Sequence, residues 1–230
     1  MILYGRNPVR EAIRGPRAVG TVWATKNAAR EPWLAGLRPR VVAAEELARL
    51  CASDAHQGVC AEVEAYRYHD GGELLRAQPP VVLALDQVQD PQNLGAICRT
   101  AECAGVAGVV IPERRSAEVT AAVCKASAGA VEHLRLARVR NLADFLAEAK
   151  AGGMWVYGAD ASAPTSYEEV DFSGRLVLVL GSEGRGLRPR VAAACDALVG
   201  IPLRGRIESL SVSAAAAVLL YAATGAGGVA

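Results

Sequence analysis

Three segments of the chain carry polar residues or glycines directly after a strand pattern, where parallel sheets form their binding sites. In the first, LDQVQDPQNLGAICRTAECAG (85–105), Asp90-Pro91 forms a turn, Asn93 caps a helix and Gly95 allows close backbone approach. Arg99 follows Asn93 by six residues, near two helical turns, which predicts roughly the same side of the helix. Alone, this pattern is equally typical of a capped helix with a surface arginine.

The second segment, LVLVLGSEGRGL (176–187), runs from a buried strand into a loop with Gly181, Gly184 and Gly186. Backbone N–H groups of such a loop can line a concavity for a ligand. The loop has neither the Gly-Lys-Ser/Thr ending of a P-loop nor GxGxxG spacing, and Glu183 argues against a bound phosphate. The alternative is an ordinary glycine-rich turn between a strand and a helix.

The third segment, IPLRGRIESLSVSAAAAVLLYA (201–222), ends a strand and enters a loop with two arginines. Three serines follow at the start of the last helix, where a serine is most simply an N-cap. The residues concerned are Arg204, Arg206, Ser209, Ser211 and Ser213.

The rest of the chain is predicted to position these segments in two α/β units. Residues 1–66 alternate short elements, with a helix from Asn7-Pro8 to Gly15-Pro16. Residues 67–80 (RYHDGGELLRAQPP) are polar and end in two prolines, which predicts a linker. The other elements predicted in the first unit are strands at 19–25, 40–43 and 58–65 and helices at 28–36 and 44–52.

Over residues 81–230 strands alternate with helices, which predicts a parallel sheet covered on both faces. The ligand crevice of such a sheet lies at the carboxyl ends of its strands, where the three segments fall. The predicted strands are 81–88, 108–111, 134–139, 154–159, 175–180 and 197–201, and the helices are 94–104, 116–127, 141–150 and a last helix from Ser209.

Composition excludes several classes of protein. The 230 residues are 52% hydrophobic and 21% charged, so the chain can bury a core. The net charge of +1 excludes a generally basic nucleic-acid binder but leaves room for a local basic patch. Six cysteines without a CxxC pair or a nearby histidine predict buried thiols in a reducing compartment and no metal site. No apolar signal segment opens the chain, and the uncharged stretch from Ser209 is too short to span a bilayer, so we expect a cytoplasmic protein without a membrane contact.

Together, in order and spacing, the three segments resemble the motifs of the SpoU (TrmH) family of SPOUT methyltransferases, which methylate a ribose 2′-hydroxyl of RNA with S-adenosylmethionine. The first is similar to N-x-G-x-x-x-R, the second to G-[SA]-E-x-x-G and the third to I-P-x-x-G-x-x-x-S-L-N-V-S. YGRNPVREAI and HQGV (56–59) resemble an RNA-binding domain of a ribosomal-protein type, found in the 23S rRNA guanosine 2′-O-methyltransferase group.

The resemblance implies a trefoil knot that holds the cofactor, a homodimer for which the uncharged last helix would form an interface, and RNA as partner. It implies backbone contacts from Gly181, Ile201 and Leu210 to S-adenosylmethionine. The further cofactor-binding residues that it implies are Ser182, Gly186, Leu203 and Ser211. At Ser211 the family has Asn, and a hydroxyl lacks the paired donor and acceptor of an amide, so we expect a lower rate of the same reaction.

The resemblance also assigns four catalytic residues. Arg99 is expected to orient the ribose through its phosphate and to stabilise the developing oxyanion, although the matching arginine has also been considered as the base. Asn93 is expected to position the ribose or Arg99, Glu183 to orient the loop, and Ser209 to hydrogen-bond in the substrate site. Arg204 and Arg206 are candidate phosphate contacts, with solvated surface arginines as the alternative.

Two other functions stay open at this level. The first keeps the chemistry and changes the substrate to tRNA or to an rRNA site linked to antibiotic resistance. The separate N-terminal unit favours rRNA, because the tRNA enzymes of the family usually carry short helical extensions. The second is a non-catalytic RNA-binding or ribosome-assembly factor, which Ser211 supports and the presence of Arg99, Glu183 and Gly181 opposes.

Overall fold

A computed structural model describes residues 1–78, 80–207 and 209–225 of the chain. The N-terminal unit is a four-stranded sheet in the order β1-β4-β2-β3, in which β4 is antiparallel to both of its neighbours. Its elements are β1 (Ile2–Tyr4), α1 (Arg6–Arg14), β2 (Val19–Ala24), β3 (Arg40–Val41), α2 (Ala44–Cys51) and β4 (Val59–Val63).

One predicted helix of this unit is wrong, and a proline explains why. Residues 28–36 form two short 3₁₀ turns, Ala28–Arg30 and Pro32–Leu34, instead of an α-helix. Pro32 lacks an N–H group and disfavours helical geometry at the residue before it, and Glu31 accordingly has extended backbone with ψ 131°. The three-residue strand β1 was not predicted from the sequence.

The C-terminal unit is a six-stranded sheet in the order β10-β8-β9-β5-β6-β7, and every strand pair in it is parallel. The central strands consist almost wholly of buried aliphatic residues, as expected for a sheet covered on both faces. The α/β prediction with a parallel sheet is confirmed, whereas the trefoil knot stays a prediction. The elements are α3 (Gly71–Arg76), β5 (Val81–Asp86), α4 (Pro91–Cys103), β6 (Gly108–Pro112), α5 (Ala121–Ala126), β7 (Leu136–Val139), α6 (Leu142–Ala151), β8 (Trp155–Ala159), β9 (Leu176–Gly181), α7 (Pro189–Ala192), β10 (Ala197–Val199) and α8 (Val212–Gly225).

The described part of the segment predicted as a linker contains a helix that packs on the C-terminal sheet. Its helix α3 begins at Asp70, whose carboxylate accepts the Glu73 N–H, and Leu74 and Leu75 are buried in the core on one face of the sheet. The His69 N–H donates to the Leu136 carbonyl at the edge strand β7. The division of the chain at residues 66 and 81 stays a prediction, but this segment is no loose connection.

The two units meet through a buried ion pair. Arg17 of the N-terminal unit donates from Nε to Glu132 Oε2 at 2.8 Å, and both side chains are almost fully buried. The Tyr66 hydroxyl donates to the Leu134 carbonyl at 2.8 Å on the same side. These contacts hold the N-terminal unit against the segment that follows α5.

The described residues show neither a membrane-spanning helix nor a cluster of metal ligands. None of their helices has the length and apolar character needed to cross a membrane. No cluster of His, Cys, Asp and Glu within the described ranges is suited to hold a metal ion. Cys60, Cys98 and Cys124 are buried as predicted, but Cys103 is exposed.

Candidate active site

The loop after β9 folds back on itself and forms one wall of a cavity. Ser182 and Gly186 exchange two backbone hydrogen bonds, of 3.2 and 2.9 Å, which makes a tight turn. Gly184 and Gly186 have φ values of +77° and +64°, a conformation that favours glycine. A Cβ atom on Gly181 would lie 2.1 Å from the carbonyl carbon of Gly186, so the turn closes only because position 181 has no side chain.

The cavity at this turn has a volume of about 400 Å³ and lies at the carboxyl end of the sheet, as predicted. Its walls come from the loops after β8, β9 and β10 and from the first turns of α8. The residues predicted from the sequence that line it are Gly181, Ser182, Glu183, Gly186, Ile201, Leu203, Ser209 and Leu210.

Three lining residues after β8 were missed by the sequence analysis, namely the stretch 160–162. Asp160 is the chemically distinctive one, and its Oδ1 accepts hydrogen bonds from the Ser162 N–H and hydroxyl at 2.8 and 2.7 Å. The signal was available, because this stretch directly follows a predicted strand of the same sheet. A carboxylate on the wall can accept hydrogen bonds from hydroxyl or ammonium groups of a ligand.

Ser211 is not among the residues that line the cavity. Its hydroxyl accepts the Ala214 N–H at 3.2 Å and lies 3.2 Å from the Ser213 hydroxyl, so it caps α8. The prediction that serines cap the last helix is confirmed here, with the helix beginning at Val212 and not at Ser209. The predicted contact of Ser211 with a cofactor therefore has no direct support in the cavity geometry.

Asn93 connects the first segment to the glycine turn. Its Nδ2 donates to Glu183 Oε2 at 3.1 Å, across 90 residues of sequence. The predicted cap at Asn93 is wrong, since Asp90 caps α4 by accepting the Asn93 N–H at 2.8 Å. Because Asp90 takes the capping role, the Asn93 side chain is left to reach the turn.

Arg99 lies apart from this group. It is exposed on α4, does not line the cavity, and its side chain makes no hydrogen bond or ion pair with another described residue. At about 100° per residue, six residues separate Asn93 and Arg99 by about 120° around the helix, so the predicted common side is wrong. Gly95 behaves as predicted, because a Cβ there would lie 2.4 Å from the Ala126 Cβ and prevent the packing of α4 on α5.

A buried carboxylate fastens the far end of the glycine turn. Asp86 ends β5 beside Gly181, and its side chain is inaccessible to solvent. It accepts the backbone N–H of Arg188 at 2.8 Å and the Nε and Nη2 of the same residue, both at 2.7 Å. Asp86 therefore contacts both ends of the turn, because it pairs with Gly181 in the sheet and binds Arg188 after the turn. We call the contact between Asp86 and Arg188 the clasp, and sequence reasoning did not find it.

The thiols near the site are held in the neutral form. Burial raises the pKa of the Cys195 thiol to about 11, and burial also raises the pKa of Cys98 on α4 far above its ordinary value. Only a thiolate is a good nucleophile, so neither cysteine is suited to covalent or acid-base work at neutral pH.

Comparison with known families identifies the chain. The model of the SpoU rRNA methylase family matches residues 80–221. The chain belongs to this family. A second family model, described as RNA 2′-O ribose methyltransferase substrate binding, matches residues 2–69 of this SpoU family member.

Individual relatives agree with this assignment. The SpoU family member is 40% identical over 232 residues to YacO of Bacillus subtilis, a protein assigned to the TrmH family of tRNA/rRNA methyltransferases, with 95% of this chain and 93% of the relative covered. A crystal structure from Porphyromonas gingivalis, assigned to the TrmH family of RNA methyltransferases, is 30% identical with a TM-score of 0.78 over 96% of this chain and 88% of that one. An AdoMet-bound rRNA methyltransferase from Sinorhizobium meliloti is 26% identical with a TM-score of 0.80 over 96% and 85% of the two chains.

The protein is thus an S-adenosylmethionine-dependent RNA methyltransferase, and its cavity fits that cofactor. The volume of about 400 Å³ lies within the usual range for small-molecule sites. The closed turn at Gly181 places backbone groups on one wall, and Leu180, Leu187 and Leu219 line the cavity with apolar side chains.

Proposed function

We propose that the protein methylates a ribose 2′-hydroxyl of RNA, at a guanosine of 23S rRNA, as in the guanosine 2′-O-methyltransferase group of its family. The observation that carries this proposal is the hydrogen bond between Asn93 and Glu183 at a cavity suited to S-adenosylmethionine. The N-terminal match to a ribose methyltransferase substrate-binding unit supports a large RNA as the partner. An rRNA substrate places the proposed reaction in the cytoplasm.

In the proposed reaction, S-adenosylmethionine supplies a methyl group that is already electrophilic, so the protein must mainly position the acceptor. The residues that would hold the cofactor are Gly181, Ser182, Gly186, Ile201, Leu203 and Leu210. Ser211 contributes indirectly. Its hydroxyl caps α8 and so fixes the start of the helix, next to Leu210 and Val212, which line the cavity.

The acceptor ribose is held by the polar rim of the cavity. Glu183 and Asn93 fix each other by their hydrogen bond and present the remaining amide and carboxylate groups to the ribose. Ser209 adds a hydroxyl on the cavity wall. Arg99 is a poor base because its guanidinium remains charged, so we assign it to the phosphate beside the ribose and to the developing oxyanion.

We also propose a homodimer, with α8 at its interface. This helix carries no charged residue, and Tyr221 on it is 56% exposed. Sedimentation of the purified protein tests this, with a species of twice the 24.0 kDa chain mass expected.

Two measurements together test the proposed function. Calorimetric titration with S-adenosylmethionine should show one site per chain, and ribose-methylation mapping of unmodified 23S rRNA should show one modified guanosine. Methylation of tRNA but not of rRNA would overturn the substrate assignment. Failure of the folded protein to bind S-adenosylmethionine, with and without RNA, would overturn the enzymatic role and favour a non-catalytic RNA-binding factor.

A further inference from the structure

The ends of four neighbouring strands form one row along the carboxyl edge of the sheet. Asp86 of β5 is level with Gly181 of β9, and Pro112 of β6 is level with Val139 of β7. With neighbouring strands about 4.8 Å apart, the loop after Pro112 lies about 10 Å from Gly181 along this edge. This loop, residues 113–116, is therefore the next stretch of surface beyond the Asn93–Glu183 pair.

Hydrogen bonds connect this loop to the first motif segment. The Ser116 hydroxyl and the Ala117 N–H both donate to the Val88 carbonyl, at 3.3 and 2.9 Å. Val88 precedes Asp90, which caps the helix of Asn93. These contacts hold the loop against the segment that leads into α4.

Three arginines on this edge have no partner in the part of the chain that the structure describes. Arg114 and Arg115 lie in the loop, and Arg140 directly follows Val139 at the end of β7. All three are exposed, and none makes an ion pair or a side-chain hydrogen bond with a described residue. The protein as a whole has a net charge of +1, so three unpaired guanidinium groups on one edge form a distinct positive patch.

The acidic groups around the patch are mostly engaged. Glu118 pairs with Arg138 at 3.2 Å, and Asp90 caps α4. Glu113 is exposed, and its carbonyl accepts a hydrogen bond from Arg138 at 2.9 Å, which fixes the loop. One carboxylate is left to oppose three guanidinium groups.

The backbone of Arg115 is unusual for a residue with a side chain. Its φ is +57°, in the left-handed region that is normally occupied by glycine. Such a conformation persists where surrounding contacts impose it, and it is concentrated at functional sites. The contacts of Ser116 and Ala117 with Val88 hold the backbone directly after Arg115, so its main chain has a defined place in the loop.

The same segment also contacts the chain that leads from the N-terminal unit. The Val119 N–H donates to the Tyr68 hydroxyl at 2.8 Å, and Lys125 of α5 donates to the Ala55 carbonyl at 3.0 Å. The segment that directly follows the loop is therefore in contact with the unit that matches a substrate-binding family.

We propose that Arg114, Arg115 and Arg140 form a binding surface for RNA phosphates next to the target nucleotide, over which a single strand passes from the N-terminal unit to the cavity. A guanidinium group binds phosphate through paired N–H donors and is suited to this role. The inference rests on the proposed function for the direction of the strand, but phosphate binding itself needs no methyl transfer.

The test measures RNA affinity and its salt dependence with the full-length protein. The probe is a fluorescent single-stranded RNA of about a dozen nucleotides, followed by anisotropy between about 50 and 200 mM salt. The variants are Arg114→Gln with Arg115→Gln, and Arg140→Gln alone. Arg135→Gln is the matched control, because Arg135 is also exposed and unpaired among the described residues but precedes the opposite end of β7.

The slope of log K against log salt is negative. Each lost phosphate contact on a single strand should make it less steep by about 0.7, which is about fourfold in affinity near 0.15 M salt. We expect a change of about 1.4 in the slope for the double variant, about 0.7 for Arg140→Gln and none for the control. Equal effects in the control, or unchanged slopes in all variants, would contradict the proposal that these three arginines bind RNA phosphates.

Calorimetry with S-adenosylmethionine separates this result from the proposed function. Cofactor affinity should be unchanged in every variant, since none of the three arginines lines the cavity. Lower salt slopes in a protein that never methylates RNA would support the surface while overturning the proposed reaction. Slopes that fall only for an acidic peptide probe, and not for RNA, would overturn RNA as the partner.

Discussion

The loops after β9 and β10 border the same cavity but are built in different ways. The first is closed by two backbone hydrogen bonds and fastened to the buried carboxylate of Asp86. The second, residues 202–210, is exposed wherever it is described, and its described residues form no backbone hydrogen bond with one another. Ile207 in it is 76% exposed although it is aliphatic. The comparison shows that one wall of the cavity is closed by hydrogen bonds within the chain, whereas the other presents exposed polar and apolar groups.

The largest expected effect concerns the chemical step and comes from Arg99, which lies on α4 and in neither loop. Arg99→Ala should lower kcat for RNA methylation by about 10²- to 10³-fold, the usual cost of losing one donor to a developing oxyanion. Because Arg99 does not line the cavity, the affinity for S-adenosylmethionine should not change. Single-turnover methylation and calorimetry measure the two quantities, and retained activity would refute the role given to Arg99.

The next prediction compares the loops directly through one glycine in each. Gly181→Ala forces a Cβ against the carbonyl of Gly186 and should weaken S-adenosylmethionine binding by about 10- to 100-fold, the equivalent of about 1–3 kcal/mol of overpacking. Gly205→Ala is the matched control, because nothing lies within 4 Å of its added Cβ. If calorimetry found equal losses for both, the closed turn after β9 would have no special part in binding the cofactor.

An effect of similar size, on stability and not on cofactor binding, is expected from removing the Arg188 side chain. Arg188→Ala removes two side-chain hydrogen bonds from the buried Asp86 carboxylate and leaves the backbone one. Hydrogen bonds to charged groups contribute about 1.5–3 kcal/mol, so the free energy of unfolding should fall by about that much. Arg188→Lys should recover part of the stability, as measured by denaturant unfolding. An unchanged unfolding free energy in Arg188→Ala would show that the clasp does not hold the turn.

The smallest expected effect concerns the start of α8. Ser211→Asn restores the residue typical of the family, and Asn and Ser are about equally good N-caps, so stability should change by less than about 0.5 kcal/mol. We expect kcat to rise a few-fold because the amide adds a donor and an acceptor near Leu210. A lower kcat with unchanged stability would show that the family residue has no benefit in this chain.

Much of this architecture follows from local patterns, and the parts that were missed depend on long-range contacts. The continuous apolar runs of β5 and β9 were sufficient to predict a buried parallel sheet, and the glycines of the turn to predict a ligand site. The clasp joins Asp86 and Arg188, which are 102 residues apart, so no local pattern could reveal it. The cap at Asp90 was overlooked in favour of Asn93, although a proline at the first helical position marks the residue before it as the cap.

The ion pair between Arg17 and Glu132 has a consequence for how the enzyme selects its target. It joins the N-terminal unit to the catalytic unit by a buried contact, so an RNA element bound by the first would lie at a set distance from the cavity of the second. We therefore expect the enzyme to select its target by spacing as well as by sequence, and to disfavour an RNA in which the recognised element and the target ribose are separated by a different span.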